Sequence, residues 1–212
     1  MENPVLIFGA GSLGRVAKEI LESNGNVVYG FLDDEKKLHG KEIDGAVVLG
    51  STDDDGFLKL IGKKCEACVA VDDNRLRKSL VTMLNDVRHV QPVNIIHQRA
   101  FVANHVVLGH GNFIDAGVQV GVGSVLGNHT IIQAGAIIGA EVTLADFVQV
   151  GAGSIINSGV VVEVEAFIGS GVTIVSGVTV GKGARIGAGS VVIAPVKPGE
   201  TVFGNPAQPV SR

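Results

Sequence analysis

Hydrophobic residues in the second half of the chain follow a repeat of six. A helix would space apolar residues three and four apart, and a half-buried strand would alternate them with polar ones, so the repeat predicts neither. It predicts a solenoid of short strands and turns, in which each hexad directs one large side chain inward. The aliphatic positions run without a gap through Ile96, Val102, Leu108, Ile114, Val120, Leu126, Ile132, Ile138, Leu144, Val150, Ile156, Val162, Ile168, Ile174, Val180, Ile186 and Val192.

The other hexad positions, counted from the aliphatic residue, suit the corners of a coil. The fifth position is nearly always small or β-branched, which fits a tight corner, and glycine supplies positive φ where the chain bends. Three hexads close a three-sided coil, so the pattern predicts between five and six coils stacked about 4.8 Å apart. A β-sandwich would show turn clusters without a fixed six-residue phase. The second position is often glycine, at Gly109, Gly121, Gly127, Gly139, Gly151, Gly169, Gly181 and Gly187.

The first part of the chain alternates strands and helices. This alternation predicts a Rossmann-like α/β domain, a parallel sheet with helices on both faces. The predicted strands are Val5–Phe8, Val27–Leu32, Ala46–Leu49 and Ala67–Val71. The predicted helices are Arg15–Ser23, Asp53–Ile61 and Asn74–Leu84.

A glycine-rich loop, Gly9-Ala-Gly-Ser-Leu-Gly14, joins the first strand to the first helix. Its glycines let backbone amides approach a phosphate, and the helix N-terminus favours an anion there. Asp33, followed by Asp34, ends the second strand, where such folds hold a ribose hydroxyl. About 90 residues is only half a dinucleotide fold, so a smaller ligand such as a nucleotide sugar fits better. The loop is also compatible with a tight strand–helix turn that binds nothing.

Charge changes sharply along the chain. We count 27 charged residues before Ile96 and eight from there to Val192. This step, together with Pro92, predicts a boundary near Gln91–Asn94 and two domains, 1–92 and 93–212. A net charge of −4 without basic runs argues against a nucleic-acid partner.

Neither a membrane span nor a signal peptide is evident, which predicts a cytoplasmic protein without a membrane partner. Cys65 and Cys68 form one CxxC pair. A zinc site would need a second ligand pair, and none lies at a suitable spacing, so no metal is expected. Two small thiols at the start of a buried strand are the simpler interpretation, with a redox pair as the alternative.

Several segments together resemble a family of bacterial acetyltransferases, the sialic-acid O-acetyltransferases and UDP-amino-sugar N-acetyltransferases. Val5-Leu-Ile-Phe-Gly-Ala-Gly11 resembles the family's nucleotide-sugar loop, and Gly30-Phe-Leu-Asp-Asp34 followed by Leu38-His-Gly-Lys41 resembles its next segment. Asn94-Ile-Ile-His97 resembles the start of its β-helix, and Val202-Phe-Gly-Asn-Pro-Ala207 resembles its closing motif. The matching features span almost the whole chain.

The resemblance implies a left-handed parallel β-helix and a homotrimer. It implies that a nucleotide sugar binds at Gly9, Gly11, Ser12, Leu13, Gly14, Asp33 and Asp34, and that acetyl-CoA is the co-substrate, bound between neighbouring β-helices. The activity would be acetylation of a nucleotide-linked sugar, on nitrogen or oxygen, in surface-polysaccharide or glycan biosynthesis. The particular sugar and the acyl chain are not specified by these residues.

The chain departs from the family where the chemistry would occur. The resemblance implies a catalytic histidine followed by an acid; the acid is Glu141, but Ala140 occupies the histidine position. A second family histidine, near the acetyl group, falls at Gln149. A glycine-rich stretch that lines the thioester end of CoA falls at Asn157 and Ser158. Further CoA contacts are assigned to Lys182, Arg185, Ala188 and Lys197.

Three hypotheses remain open. The chain is an acetyltransferase in which Glu141, helped by water, removes the proton. Alternatively, it is a catalytically silent relative that binds a nucleotide sugar or acts as an assembly partner. In the third, it is a β-helix enzyme with a relocated site that uses His105, His110 or His129. His105 has the same hexad position as Glu141 two coils away, whereas His110 and His129 come from adjacent coils of another corner.

Overall fold

The computed structural model describes residues 3–210, and the chain divides into two compact units, Met1–Gln98 and Arg99–Arg212. The first unit alternates strands and helices, as predicted. Its elements are β1 (Val5–Phe8), α1 (Ser12–Ser23), β2 (Val28–Leu32), a 3-10 turn (Lys36–Leu38), β3 (Glu42–Ile43), β4 (Ala46–Gly50), α2 (Asp55–Leu58), β5 (Glu66–Val69), α3 (Asn74–Met83), a π-helical turn (Leu84–Arg88) and β6 (Ile95–Ile96).

The five-stranded sheet of this unit has the order β3-β4-β2-β1-β5. Strands β4, β2, β1 and β5 are parallel to one another, and β3 is antiparallel to β4 at one edge. The prediction was wrong for Asp53–Ile61, because the helix there is a single turn, Asp55–Leu58. Two factors limit it: the Asp54 side chain caps its start, and glycine occupies the second helical position. The pair β3–β4, a short edge hairpin, was not predicted.

The second unit is a three-sided parallel β-helix with one two-residue strand per hexad. Face A contains β9 (Phe113–Ile114), β12 (Ile131–Ile132), β15 (Gln149–Val150), β18 (Phe167–Ile168) and β21 (Arg185–Ile186). Face B contains β7 (Phe101–Val102), β10 (Gln119–Val120), β13 (Ile137–Ile138), β16 (Ile155–Ile156), β19 (Thr173–Ile174) and β22 (Val191–Val192). Face C contains β8 (Val107–Leu108), β11 (Val125–Leu126), β14 (Thr143–Leu144), β17 (Val161–Val162) and β20 (Thr179–Val180).

Each strand residue pairs with the residue eighteen positions further along the chain, as Val120 does with Ile138 and Ile138 with Ile156. The inward aliphatic side chains from Ile114 to Val192 are at most 1% exposed, which confirms the predicted interior. Those of Val102 and Leu108 are only half-buried, because the first coil has a neighbouring coil on one side only. An antiparallel hairpin, β23 (Thr201–Gly204) and β24 (Ala207–Pro209), extends face A beyond β21. Within residues 3–210, no helix is long and apolar enough to cross a bilayer.

Positive φ falls at the fourth hexad position, not at the glycine-rich second one. Gly123, for example, has φ 70°, whereas Gly121 is not left-handed. Glycine is needed at the second position because the next coil passes too close: a Cβ on Gly121 would lie 2.7 Å from the backbone nitrogen of Ala140. The expectation that these glycines serve the bend is therefore wrong for the second position. They serve coil-to-coil packing.

Candidate functional site

The glycine-rich loop turns from β1 into α1, and two of its three glycines are required by packing. Gly9 has φ 103°, and a Cβ there would lie 2.7 Å from the carbonyl oxygen of Ala70. A Cβ on Gly14 would overlap the carbonyl oxygen of Gly9. Gly11 differs, because it has φ −75° and a Cβ on it would meet nothing within 4 Å. The fold itself does not require glycine at that position, which leaves open space for the approach of a ligand to the backbone.

The two acidic residues after β2 hold the neighbouring loops. Oδ2 of Asp33 accepts a hydrogen bond from the backbone N–H of Ala10 at 2.8 Å, and its Oδ1 accepts one from Glu35 N–H at 2.9 Å. Asp34 Oδ1 accepts from both the backbone N–H and the hydroxyl of Thr52, at 2.9 and 2.8 Å. Both side chains thus shape the carboxyl end of the sheet, where open α/β folds bind ligands. Both oxygens of Asp33 keep one lone pair, and Oδ2 of Asp34 is still available, so each residue can accept a hydrogen bond from a sugar hydroxyl.

Arg77 is a buried cation at the same end of the sheet, and no pattern in the sequence pointed to it. It is 1% exposed. Its Nη1 donates to the carbonyl oxygen of Val71 at 2.8 Å, and its Nη2 donates to Oδ1 of Asn74 at 2.6 Å. Burial lowers its pKa to about 10, against the opposing charges of Asp72 and Asp73. Arg77 therefore holds the loop after β5, against which Gly9 packs. Its position within a predicted helix did not indicate that its side chain would be buried.

Glu141 lies at the corner between faces B and C. It has φ 58°, a left-handed conformation that is costly for a residue with a side chain, and it is exposed. Its backbone N–H donates to the carbonyl oxygen of Val122, one coil below, at 2.9 Å. Ala140, beside it, is partly exposed and offers only a methyl group. The corner therefore presents a carboxylate, and no proton acceptor stands at the position that the resemblance gives to histidine.

Two further predicted residues, Asn157 and Ser158, lie at this corner one coil above. Nδ2 of Asn157 donates to the carbonyl oxygen of Ile174 at 2.7 Å, so the amide group is engaged with the next coil. Ser158 is exposed. His105 lies at the same corner two coils below Glu141, is exposed and is left-handed, with φ 66°. The B–C corner thus brings together four of the predicted residues.

His110 and His129 occupy the corner between faces C and A, apart from Glu141. His129 is 4% exposed and its ring contacts that of Phe147, with centroids 4.9 Å apart. Around them runs a polar ladder: Oδ1 of Asn128 accepts from His110 N–H at 3.0 Å, and Oδ1 of Asp146 accepts from Asn128 N–H at 2.7 Å. The burial of His129 makes it a poor acceptor of a substrate proton. His110 is exposed.

The remaining residues assigned to CoA are spread around the β-helix. Gln149 and Arg185 lie on face A, where the Arg185 guanidinium stands 4.6 Å from the centroid of the Phe167 ring. Lys182 lies at the C–A corner and Ala188 at the A–B corner, both exposed. Lys197 is exposed beyond β22. One chain therefore does not bring these residues to the corner of Glu141.

The two cysteines are free and buried, at 1% exposed for Cys65 and 0% for Cys68. Burial raises the pKa of both thiols. Neutral, enclosed thiols are poor nucleophiles and poor metal ligands. Across the described residues, no three His, Cys, Asp or Glu side chains are arranged to hold a metal ion.

Known proteins are similar to this chain in its N-terminal domain and over its whole length. The family model described as the PglD N-terminal domain matches residues 4–84. No curated protein sequence matches the chain significantly.

Among solved structures, one similar chain is an alanine variant, made at a histidine, of GDP-perosamine N-acetyltransferase from Caulobacter crescentus, in complex with CoA and GDP-perosamine. It is 31% identical, with a TM-score of 0.92, and the match covers 100% of this chain and 99% of that one. The acetyltransferase domain of PglB from Neisseria gonorrhoeae FA1090 is 30% identical, with a TM-score of 0.90, covering 99% of this chain and 100% of that one. That domain has also been solved with acetyl coenzyme A. WeeI from Acinetobacter baumannii AYE shares the fold at 23% identity, with a TM-score of 0.88 and coverage of 98% and 99%.

Proposed function

This chain belongs to the acetyltransferases of nucleotide-linked amino sugars that join a PglD-type N-terminal domain to a hexapeptide-repeat left-handed β-helix, and on that premise we propose that it transfers an acetyl group from acetyl-CoA to a nucleotide-linked sugar. The observation that carries the proposal is the match over the whole chain to an enzyme bound to CoA and GDP-perosamine. The two ligands correspond to the two substrates of such a transfer. We further propose that it acts in the cytoplasm.

The nucleotide sugar is assigned to the loop Gly9–Gly14. The open space at Gly11 supports this, because a ligand explains a glycine that the fold does not need. Backbone N–H groups at the start of α1 would meet the phosphates. Asp33 and Asp34, held in place by Ala10 and Thr52, would face the sugar of the nucleoside.

The transfer itself requires few steps. The acceptor nitrogen or oxygen attacks the thioester carbonyl carbon, loses its proton to a base, and the C–S bond breaks as the CoA thiolate leaves and takes up a proton. The corner of Glu141 is the place for this chemistry, since it carries the acid of the family motif. A carboxylate has a reference pKa near 4.3 and is a weak base at neutral pH. Proton removal is therefore the step in which this chain departs from its relatives.

We propose a homotrimer, which is supported by where the predicted residues lie. Glu141 is at the B–C corner and Gln149 is on face A, so a site that uses both needs face A of a second copy beside that corner. Faces B and C also expose apolar side chains in register, such as Ile137 and Ile155, at 38% and 39%, and Val125 and Val161, both at 39%. A threefold ring in which unlike faces meet buries such stripes. Each active site would then draw on two neighbouring chains.

A second candidate is a silent relative that binds the nucleotide sugar without turning it over. Ala140 favours it, because a methyl group cannot accept a proton. The C. crescentus alanine variant, made at a histidine, still holds both CoA and GDP-perosamine, so loss of a histidine is compatible with substrate binding in that enzyme.

One experiment separates the two. The protein is mixed with acetyl-CoA and a panel of UDP- and GDP-linked amino sugars, and thiol release is followed with a chromogenic disulfide. Calorimetry measures binding of the same nucleotide sugars. Release with at least one sugar supports the transferase, whereas binding without release supports the silent relative. Neither binding nor release for any member of the panel would contradict both.

A further inference from the structure

The B–C corner contains a column of five turn residues at the fourth hexad position, one from each coil. From the start of the β-helix they are His105, Gly123, Glu141, Gly159 and Gly177, with φ values of 66°, 70°, 58°, 71° and 73°. Glycine adopts this conformation freely, and a residue with a side chain does so only at a cost in free energy. In this column the cost falls on the two side chains that can exchange a proton.

Gly123 separates these two side chains and leaves the space between them open. A Cβ on Gly123 would lie 3.4 Å from Cγ of Glu141, so the Glu141 side chain extends downwards over Gly123, towards His105. Two coils span about 9–10 Å along the β-helix. This spacing lets a His105 ring turned towards Glu141 come within hydrogen-bonding reach of the carboxylate beside Gly123.

Both side chains are also available for such a contact. His105 and Glu141 are exposed, and within residues 3–210 no hydrogen bond or ion pair engages either side chain. The other candidate bases are not placed in this way. His129 is packed beneath Phe147, and both His129 and His110 lie at the C–A corner, away from Glu141.

We propose that His105 is the general base of the transfer, with Glu141 as the residue that orients it, and that the reaction takes place beside Gly123, one coil from Ala140. This inference rests on the proposed function. An imidazole with a reference pKa near 6.5 is better matched to proton transfer at neutral pH than a carboxylate near 4.3. The carboxylate instead stabilises the imidazolium that forms when the proton arrives.

The step balances without a further reactant. The acceptor N–H or O–H gives its proton to the imidazole while the acceptor atom bonds to the thioester carbon. The tetrahedral intermediate then collapses and the C–S bond breaks. The imidazolium returns the proton to the departing sulfur, which leaves as the CoA thiol, and His105 is neutral again.

The test compares His105→Asn with a matched control, His89→Asn. Both histidines are exposed and left-handed, with φ 66° and 55°, and asparagine tolerates that conformation, so both variants should fold. His105→Asn should lower kcat by about 10²–10⁴-fold while the Kd for the nucleotide sugar stays within twofold. His89→Asn should leave both unchanged.

A second variant tests the geometry without removing either group. Gly123→Asn keeps a residue that tolerates φ 70° and fills the gap between the two side chains. It should lower kcat by at least about tenfold, with nucleotide-sugar binding retained, if proton transfer depends on contact between His105 and Glu141. Wild-type kcat in Gly123→Asn, or more than half of it in His105→Asn, would overturn the inference.

Ala140→His separates failure of this inference from failure of the proposed function. It restores the histidine that the family resemblance implies, so it should rescue turnover in the His105→Asn background. If wild-type protein releases no thiol but Ala140→His does, His105 is not a base and the family assignment stands. If neither protein releases thiol or binds a nucleotide sugar, the proposed function is wrong and this inference falls with it.

Discussion

Gly14 lies against the carbonyl oxygen of Gly9, so closely that a methyl group on Gly14 would overlap that oxygen. This contact joins the first turn of α1 to the end of β1. It separates the glycines of the loop into those that the fold requires and the one that it does not. Gly11 is the latter, because nothing lies within 4 Å of a Cβ placed there.

We therefore expect Gly11→Val and Gly14→Ala to have opposite consequences. Gly14→Ala should lower the free energy of unfolding by about 1–3 kcal/mol through overpacking. Gly11→Val replaces a glycine N-cap of α1 and should lower it by no more than about 1 kcal/mol, and it should weaken nucleotide-sugar binding about tenfold, or 1.4 kcal/mol. Urea unfolding and calorimetry measure the two quantities. Unchanged binding in Gly11→Val would mean that no ligand approaches this backbone.

Replacement of Glu141 by Gln distinguishes two roles for the carboxylate. If Glu141 orients His105, Glu141→Gln should lower kcat about tenfold, and the double variant with His105→Asn should be no worse than His105→Asn alone, as for groups that act as a unit. If Glu141 is itself the base, Glu141→Gln should abolish turnover and His105→Asn should have no effect. Steady-state thiol release from the two single variants and the double variant decides between them.

Asp146 should contribute to stability through the ladder at the C–A corner. Its Oδ1 accepts from the backbone N–H of Asn128 at 2.7 Å and from Nδ2 of the same residue at 3.2 Å. Asp146→Ala leaves those donors without an acceptor and should cost about 1–3 kcal/mol in urea unfolding. Asp146→Asn keeps a carbonyl acceptor and is the matched control. Equal losses in the two variants would show that charge, not hydrogen bonding, is responsible.

The buried Arg77 predicts a pH dependence with a defined sign. Its pKa of about 10 in the folded protein lies below the ordinary value of an arginine side chain, which the unfolded chain retains. Between these values the unfolded chain binds more protons than the folded chain, so the contribution of Arg77 to stability rises with pH. The free energy of unfolding of wild type minus that of Arg77→Met should increase by about 1 kcal/mol from pH 9 to pH 11. A flat or falling difference would contradict the lowered pKa.

The protein thiols should be silent in the thiol-release assay. Cys65 and Cys68 are buried, and desolvation raises the pKa of each, so neither forms an accessible thiolate in the folded protein. At pH 8 a chromogenic disulfide should therefore react with neither, and with both in urea. Rapid reaction of one thiol in the folded protein would show that the CxxC pair is accessible and would reopen the redox interpretation.

The unbroken hexad phase carried most of the fold prediction. Position in the repeat determines which face or corner a residue occupies, so Ala140, Glu141 and His105 could be assigned to one corner by counting. The same counting separates His110 and His129 from them. The strands of the first unit were predicted from short apolar runs. Val5–Phe8, for example, is continuously apolar, as expected for a strand buried on both faces.

Other features depend on contacts that no pattern in one sequence contains. The glycines of the second hexad position suggested a bend, but their reason is the backbone of the next coil, which lies eighteen residues away. Burial of His129 depends on Phe147, also one coil away. Arg77 sits in a helix with ordinary polar neighbours in sequence, and only the fold shows that it is enclosed. Each of these residues is explained by a partner that is distant along the chain.

Because the register is a constant eighteen residues, side chains in one column of the β-helix are separated by whole numbers of coils. Deletion of residues 115–132 would remove one complete coil and leave the remaining columns aligned. His105 would then lie directly beneath Glu141, in the adjacent coil. Insertions of other lengths would rotate all later side chains to a different face. An axial shift of a side chain in this architecture is therefore available only in steps of about 4.8 Å, which makes whole-coil deletion and duplication the natural means of redesigning the spacing of its reactive groups.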